Sequence, residues 1–310
     1  METSGNLKEF KPERSFFIGI DSDGTVFDSM ELKHKECFCP AFINHFELQC
    51  VSRYARETWE FVNLYSRYRG CNRFHAVLKS LDLLRERPEV LRRNAPLLHL
   101  PRVEQWVQHE SRLGLPSLQE EMRRAASGEE KAQLERVYRW SLDVNDAVKR
   151  IVRNLTPFPF FRESLDRIAD EADAMVISQT PTETLVREWA ELGLAGNVRR
   201  IAGQEWGSKA DQMRDAAGGK YALDHILLIG DAPGDAEAAK DVGALFYPII
   251  PGREEESWER FLKEGFLRFL QLEYRGAYQE GLLDEFYQSL PELPPWKNLH
   301  KVSIPLGESI

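Results

Sequence analysis

One apolar run ends in two acids. Phe16-Phe17-Ile18-Gly19-Ile20 leads straight into Asp21 and Asp23, with Gly24 and Thr25 behind them. An uninterrupted apolar run closed by turn residues is the pattern of a parallel strand covered on both faces. In open α/β sheets, ligands bind just beyond the carboxyl ends of such strands. Asp21 and Asp23 therefore stand where chemistry is done. Gly24 permits a sharp change of direction, which lets both carboxylates face one pocket. One can serve as nucleophile and the other as general acid/base. Two facing acids repel unless a cation lies between them, so a divalent metal is their natural companion. An exposed acidic turn is the competing reading, and the rest of the chain has to decide.

The 310 residues suffice for one large domain or for a core with an inserted domain. Apolar content of 42% and charged content of 29% are those of a soluble globular protein. Lys and Arg total 41 against 50 Asp and Glu, a net charge of −9, which argues against general nucleic-acid binding. No apolar run reaches membrane-spanning length. The opening METSGNLKEFKPER has no hydrophobic segment, so the expectation is a cytoplasmic protein with reduced thiols at Cys37, Cys39, Cys50 and Cys71. His34, Cys37 and Cys39 match no standard zinc spacing, and buried thiols are the default.

Residues 1–14 are polar and are expected to be a loose lead-in. After strand Phe16–Ile20 the texture changes. Residues 31–155 show helix-period patterns such as Phe38/Phe42/Phe46 and Phe74/Val77/Leu78/Leu81/Leu84, broken by prolines and Gly114, and predict an all-helical insert of about six helices. From 156 an alternation of strands and helices begins. Strands are expected at Ala174–Ile177, Val198–Ala202, His225–Ile229 and Ala244–Ile250. Helices are expected at Arg162–Ala169, from Thr182 through Leu192, Ser208–Ala217 and Gly234–Val242. This is the pattern of a parallel sheet with right-handed crossovers. Residues 253–290 are helical and aromatic, from Trp258 to Tyr287. That surface must be covered, by the core or by a second subunit in a homodimer. The last twenty residues, with Pro291, Pro294, Pro295 and Pro305, suggest an extended arm.

Four further positions carry chemistry. Ser178 ends its strand as Asp21 ends the first, where a hydroxyl suits a phosphoryl oxygen or simply caps the next helix. Lys209 begins a helix, an unfavourable place for a cation, which hints at an anionic partner; an exposed surface lysine is the alternative. Asp231 ends the strand His225–Ile229, and Asp235 opens the next helix. Hard oxygen donors at an open site suit Mg²⁺.

Asp21-Ser22-Asp23-Gly24-Thr25-Val26 resembles the first motif, DxDGT(V/L), of the haloacid dehalogenase-like (HAD) hydrolase superfamily in its phosphatase form. Ser178 matches the second motif, Lys209 the third, and Gly230-Asp231-Ala232-Pro233-Gly234-Asp235 the fourth. The resemblance implies a Rossmann-like parallel-sheet core (1–30 and 156–252), a helical cap (31–155) that closes over the site and selects substrate, and says nothing of the extension at 253–310. It implies that Asp21 forms an aspartyl-phosphate and that Asp23 protonates the leaving group and then activates water. It implies Mg²⁺ held by Asp21, Asp231 and the Asp23 backbone carbonyl, with Asp235 supporting the metal shell and Ser178 and Lys209 binding the transferring group. The expected activity is a Mg²⁺-dependent phosphatase acting on a small phosphorylated metabolite, phosphoglycolate-like or a sugar phosphate, in a chain resembling the phosphoglycolate phosphatases and β-phosphoglucomutases of the superfamily. A phosphomutase and a phosphate-binding regulator with little turnover are the alternatives. In the insert, the loop Ser66–Arg73 concentrates three arginines, which suit a second anionic group or a solvated surface equally.

Overall fold

The computed structural model describes residues 6–126 and 128–298. It resolves into two compact units: residues up to Lys33 together with Val152–Ser289, and His34–Ile151 together with the described residues from Leu290 onward.

The first unit is built on a five-stranded, all-parallel sheet in the order β3-β2-β1-β4-β5. The strands are β1 (Phe16–Ile20), β2 (Ala172–Ile177), β3 (Arg200–Ala202), β4 (Ile226–Gly230) and β5 (Leu245–Pro248). β2, β4 and β5 are buried along their whole length, as the apolar runs required. β1 is central: β2 lies on one side and β4 on the other, with Ile20 in register with Val176 and Ile229. The strand order therefore reverses at β1, and such a switch point opens a crevice at the carboxyl ends. Asp21, Ser178 and Asp231 follow β1, β2 and β4, so three neighbouring strands deliver them to one edge.

β2 begins two residues earlier than the sequence suggested, because it contains a buried acid. Asp173 is accepted into the strand by its donors: the amides of Glu13 (2.8 Å) and Arg14 (3.0 Å), the Tyr221 hydroxyl (2.7 Å) and the Arg199 guanidinium. A buried carboxylate persists only when so satisfied. The same contacts correct the expectation of a loose lead-in, since Leu7 and Phe10 are also buried; residues 1–5 lie outside the described residues.

The aromatic segment after 253 belongs to this unit. Trp258, Phe261, Phe266, Phe269 and Tyr274 lie in the same apolar core as β1, β2, β4 and β5. The Tyr274 hydroxyl donates to Phe246 O (2.8 Å) and the Tyr247 hydroxyl to Ser257 O (2.6 Å), so each ring buries its apolar body and spends its polar tip on backbone. The segment runs as helices Glu254–Arg260, Phe266–Leu270 and Ala277–Ser289 with a π-helical turn at Phe261–Gly265. Much of the aromatic surface of this segment is thus covered by the chain's own core, while Leu267 and Leu272 stay exposed.

The second unit is helical. Among the described residues it has α-helices at Cys39–His45, Ser52–Leu64, Arg73–Arg85, Pro88–Arg92, Pro101–His109, Leu115–Arg124 and Gly128–Ile151, and a short turn at Pro295–Asn298. Its centre is aromatic: Phe42, Phe46, Trp59, Phe74 and Trp140 are fully buried. The arginines of the 66–73 loop serve this packing. Arg69 donates to Leu64 O (3.0 Å), Arg67 to Leu290 O (2.9 Å), and Arg73 to Asn145 Oδ1 (2.8 Å) and Ser141 Oγ (3.0 Å) while lying over Phe38. Cys37 and Cys39 are buried, and burial pushes the Cys39 thiol up to about 12; Cys50 is exposed, against the default. Among the described residues, no helix is long and apolar enough to cross a membrane. Most of the expected C-terminal arm, 299–310, lies outside the described residues.

Candidate active site

The loop after β1 is tightly closed. Val26 N (2.9 Å) and Phe27 N (3.3 Å) donate to Ser22 O, and Gly24 N donates to Phe27 O (2.9 Å). Gly24 has φ +75°, a conformation open to glycine at little cost, so the turn expected there is present. The two acids of this loop take different partners. Among the described residues, the Asp21 and Asp23 carboxylates share no hydrogen-bond or ion-pair partner.

Asp21 joins Asp231 and Asp235. One carboxylate oxygen from each lies within 4.8 Å of the others, and all three residues are buried. Lys209 Nζ is 3.0 Å from Asp21 Oδ2 and pairs closely with Asp235 Oδ1. The helix Lys209–Ala217 is capped by Ser208, whose hydroxyl accepts from Asp211 N (3.1 Å), while the Asp211 carboxylate accepts from Ser208 N (3.2 Å). That capping box sets the first helical residue, Lys209, at a fixed height. The misplaced cation has its anions. Asp235 is fixed by Ala232 N (3.0 Å), and Asp231 accepts from the Thr25 hydroxyl (2.7 Å). Gly230 leaves room for this: a Cβ there would sit 2.5 Å from the Asp235 carboxyl.

The electrostatics of the cluster follow from burial. Burial pushes the Asp21 carboxyl well above its ordinary range, and repulsion from Asp235 and Asp231 adds to it, against the pull of Lys209. Asp235 is raised by burial and by Asp231. Burial alone would lower Lys209, but the attraction of Asp21 and Asp235 outweighs it and holds the ammonium above its usual range. Three buried acids gathered about Lys209 leave the place short of positive charge, and burial and that shortage together drive the Asp21 and Asp235 carboxyls up. Hard oxygen donors short of positive charge fit a divalent cation such as Mg²⁺. Asp21, Asp231 and Asp235 are the side chains that would hold it.

Asp23 is held quite differently. Lys33 Nζ reaches both of its oxygens (2.5 and 2.7 Å), the Thr180 hydroxyl donates to Oδ2 (2.7 Å), and the Ser29 hydroxyl to Oδ1. Burial works to raise Asp23, but Lys33, with Ser29 and Thr180, brings it down to about 2. Glu188, on helix Thr182–Glu191, is a second buried acid in this neighbourhood, and its Oε2 has no hydrogen-bond partner among the described residues. Burial raises its carboxyl, with the Asp23 charge adding and the Lys33 charge opposing.

The hydroxyl of Ser178 accepts from Thr180 N (3.2 Å), the turn contact that competes with a phosphoryl role, and the Thr180 hydroxyl donates to Asp23. Lys33 and Glu188 were missed entirely. Lys33 lies in a stretch, Glu31-Leu32-Lys33-His34-Lys35-Glu36, that looks like an ordinary solvated helix face. Lys33 follows Asp23 by ten residues, directly after the short helix Ser29–Leu32 and at the start of the π-helical turn Lys33–Phe38.

No family model matches the chain, and no curated protein does. It is similar in fold to several solved structures. A haloacid dehalogenase-like family hydrolase from Streptococcus pneumoniae is 14% identical, covering 79% of this chain and 90% of its own, with a TM-score of 0.37. A predicted phosphoglycolate phosphatase from Haemophilus somnus is 14% identical over 76% of this chain and 86% of its own, with a TM-score of 0.43. A haloacid dehalogenase-like family hydrolase from Xanthomonas campestris is 10% identical over 86% and 97%, with a TM-score of 0.43. These three are named as haloacid dehalogenase-like hydrolases and a phosphatase, and another similar structure, from Thermotoga maritima, as a putative β-phosphoglucomutase.

Proposed function

We propose that the chain is a divalent-cation-dependent phosphatase that hydrolyses a small phosphorylated metabolite through an aspartyl-phosphate on Asp21. The observation that carries this reading is the convergence of Asp21, Asp231 and Asp235 with Lys209 at the switch point of the sheet. Asp21 Oδ attacks phosphorus, the P–O bond to the leaving group breaks, and its electron pair leaves on that oxygen. Lys209 holds Asp21 and offers positive charge to the phosphoryl oxygens. Mg²⁺, when bound, neutralises charge on the transferring group. Asp23 is the group for proton transfer: held down to about 2 by Lys33, Ser29 and Thr180, it is set to take a proton from the water that cleaves the aspartyl-phosphate. To give a proton to a leaving group it must first exchange the Lys33 contact for that proton. Ser178, one strand away from Asp21, is assigned to the phosphoryl group with Thr180 as its neighbour.

The test is turnover of p-nitrophenyl phosphate and of a panel of phosphorylated metabolites, with and without Mg²⁺, for the intact chain and Asp21→Asn. Metal-dependent phosphate release abolished by the substitution supports the hydrolase. Interconversion of sugar-phosphate isomers in place of release would identify a mutase, and phosphate binding without turnover a regulator; either would overturn the reading.

A further inference from the structure

The segment after residue 253 has no part in the chemistry described so far, yet one of its side chains reaches the loop that carries Asp21. Trp258 is fully buried and its indole N–H donates to Thr25 O (2.8 Å). The same Thr25 donates its hydroxyl to Asp231 Oδ1 (2.7 Å). Two bonds therefore run from the C-terminal segment, through one residue, to a carboxylate of the acidic cluster. Thr25 itself is fully buried, so neither bond has water to replace it.

The indole is itself immobilised. Its ring meets Phe161 edge-on (4.9 Å, 73°) and Phe261 edge-on (5.7 Å, 85°). Its helix, Glu254–Arg260, is tied to the end of β5 by Ser257, whose hydroxyl accepts from Ile250 N (3.0 Å) and whose carbonyl accepts from the Tyr247 hydroxyl (2.6 Å). Arg260 bonds Glu285 (2.6 Å) and so adds the helix Ala277–Ser289 to the same body. On the other side of Phe161, Trp189 meets that ring edge-on (5.9 Å, 89°) and donates its own indole N–H to Ser22 Oγ (3.1 Å). The Asp21–Phe27 loop is thus held by two tryptophans that bear on one phenylalanine. Of the two, Trp258 is the one bonded to Thr25, and so linked onward to the cluster.

We infer that Trp258 is a positioning residue for the cation site, acting through Thr25 to fix the orientation of Asp231, and that the C-terminal segment is a working part of that site. This rests on the three carboxylates being the cation-binding group proposed above. Removing a partner that orients a metal ligand typically weakens metal affinity about tenfold or more.

The test is calorimetric titration of the full chain with Mg²⁺, which reads binding without turnover, alongside thermal unfolding in EDTA. Four proteins are compared with the intact chain: Trp258→Phe, Thr25→Val, the double variant, and Phe261→Leu. The last thins the packing around the indole without touching Thr25. The expected result is a Kd for Mg²⁺ raised about tenfold in each of the first two, with no further loss in the double variant because both act on one path. Phe261→Leu is expected to lower the unfolding temperature while leaving Kd unchanged. A Trp258→Phe protein that binds Mg²⁺ as the intact chain does would overturn the inference, as would a Phe261→Leu protein weakened equally. So would losses that simply add in the double variant. If the intact chain binds Mg²⁺ but releases no phosphate, the proposed activity fails while the positioning role is still decided by the Kd values. If the intact chain binds no Mg²⁺, both are overturned.

Discussion

Asp21 and Asp23 are the same residue type, two positions apart in one loop, and the fold gives them opposite electrostatic fates. Asp21 is packed with Asp231 and Asp235 around a single ammonium, so burial and repulsion drive its carboxyl up. Asp23 receives Lys33, Ser29 and Thr180, so its carboxylate is held down to about 2 although it too is buried. Burial is common to both. What differs is the sign and number of the neighbours, and this divides the labour. The first acid sits in a site short of positive charge that calls for a cation. The second is already compensated by protein and is left to handle a proton.

The largest expected break in this comparison is Asp21→Asn. It removes the nucleophile and one cation-binding oxygen, and turnover should fall by more than about 10⁴-fold with the fold retained by circular dichroism. Residual activity within about tenfold of the intact chain would sink the assignment of Asp21.

Next comes Lys33→Met, which makes Asp23 resemble Asp21 by withdrawing its cation. Breaking a buried pair strands a charge, so stability should fall by roughly 2–4 kcal/mol, read from urea unfolding at neutral pH. The Asp23 carboxyl should climb from about 2 past its ordinary 3.8, since burial then acts unopposed by Lys33. The acid limb of the pH–rate profile should move upward with it, and turnover drop on the order of 10²-fold. An unmoved limb would show that Asp23 is not the group that titrates.

Removal of the divalent cation comes third and sharpens the contrast through its pH dependence. A raised acid binds more protons folded than unfolded, so the Asp21 and Asp235 contributions make the cation-free protein lose stability as pH rises above about 4. Asp23 has the opposite sign: its contribution is present above about 4 and is lost as pH falls from there through about 2. EDTA should therefore lower the unfolding temperature by about 2–6 °C at pH 7.5 and by less at pH 5. Equal shifts at the two values would contradict the assignment of a surplus negative charge to the cluster.

The smallest effect is expected from Thr180→Val, which removes one neutral donor from Asp23 and leaves Lys33 in place. Stability should change by about 1 kcal/mol. The acid limb should shift upward by less than in Lys33→Met. A larger shift than that of Lys33→Met would reverse the ranking of the two partners.

The main features of the site were legible locally. Each of the runs ending at Asp21, Ser178 and Asp231 is an unbroken apolar stretch, and parallel packing sends the ends of such runs to the same edge. Strand ends were less legible, because the start of β2 depends on who satisfies Asp173, and its donors Glu13, Arg14, Arg199 and Tyr221 come from distant parts of the chain. The loop of arginines at 66–73 suited an anion receptor or a solvated surface equally by its residue types; in the fold Arg67, Arg69 and Arg73 donate to carbonyls and side chains within the second unit.

By itself the sequence determined the parallel sheet, the helical insert and the identity of the acids that meet, because strand-length apolar runs and their terminal residues are properties of neighbours in the chain. Only the tertiary structure decided how those acids differ. Lys33 returns to Asp23 from the far end of the short helix Ser29–Leu32, and Trp258 meets Thr25 across 233 residues. Thr180 crosses 157 residues to bond Asp23. A carboxylate's charge state is set by distances to burial and to other charges, and these are fixed by packing between segments, which a linear pattern of residue types does not encode.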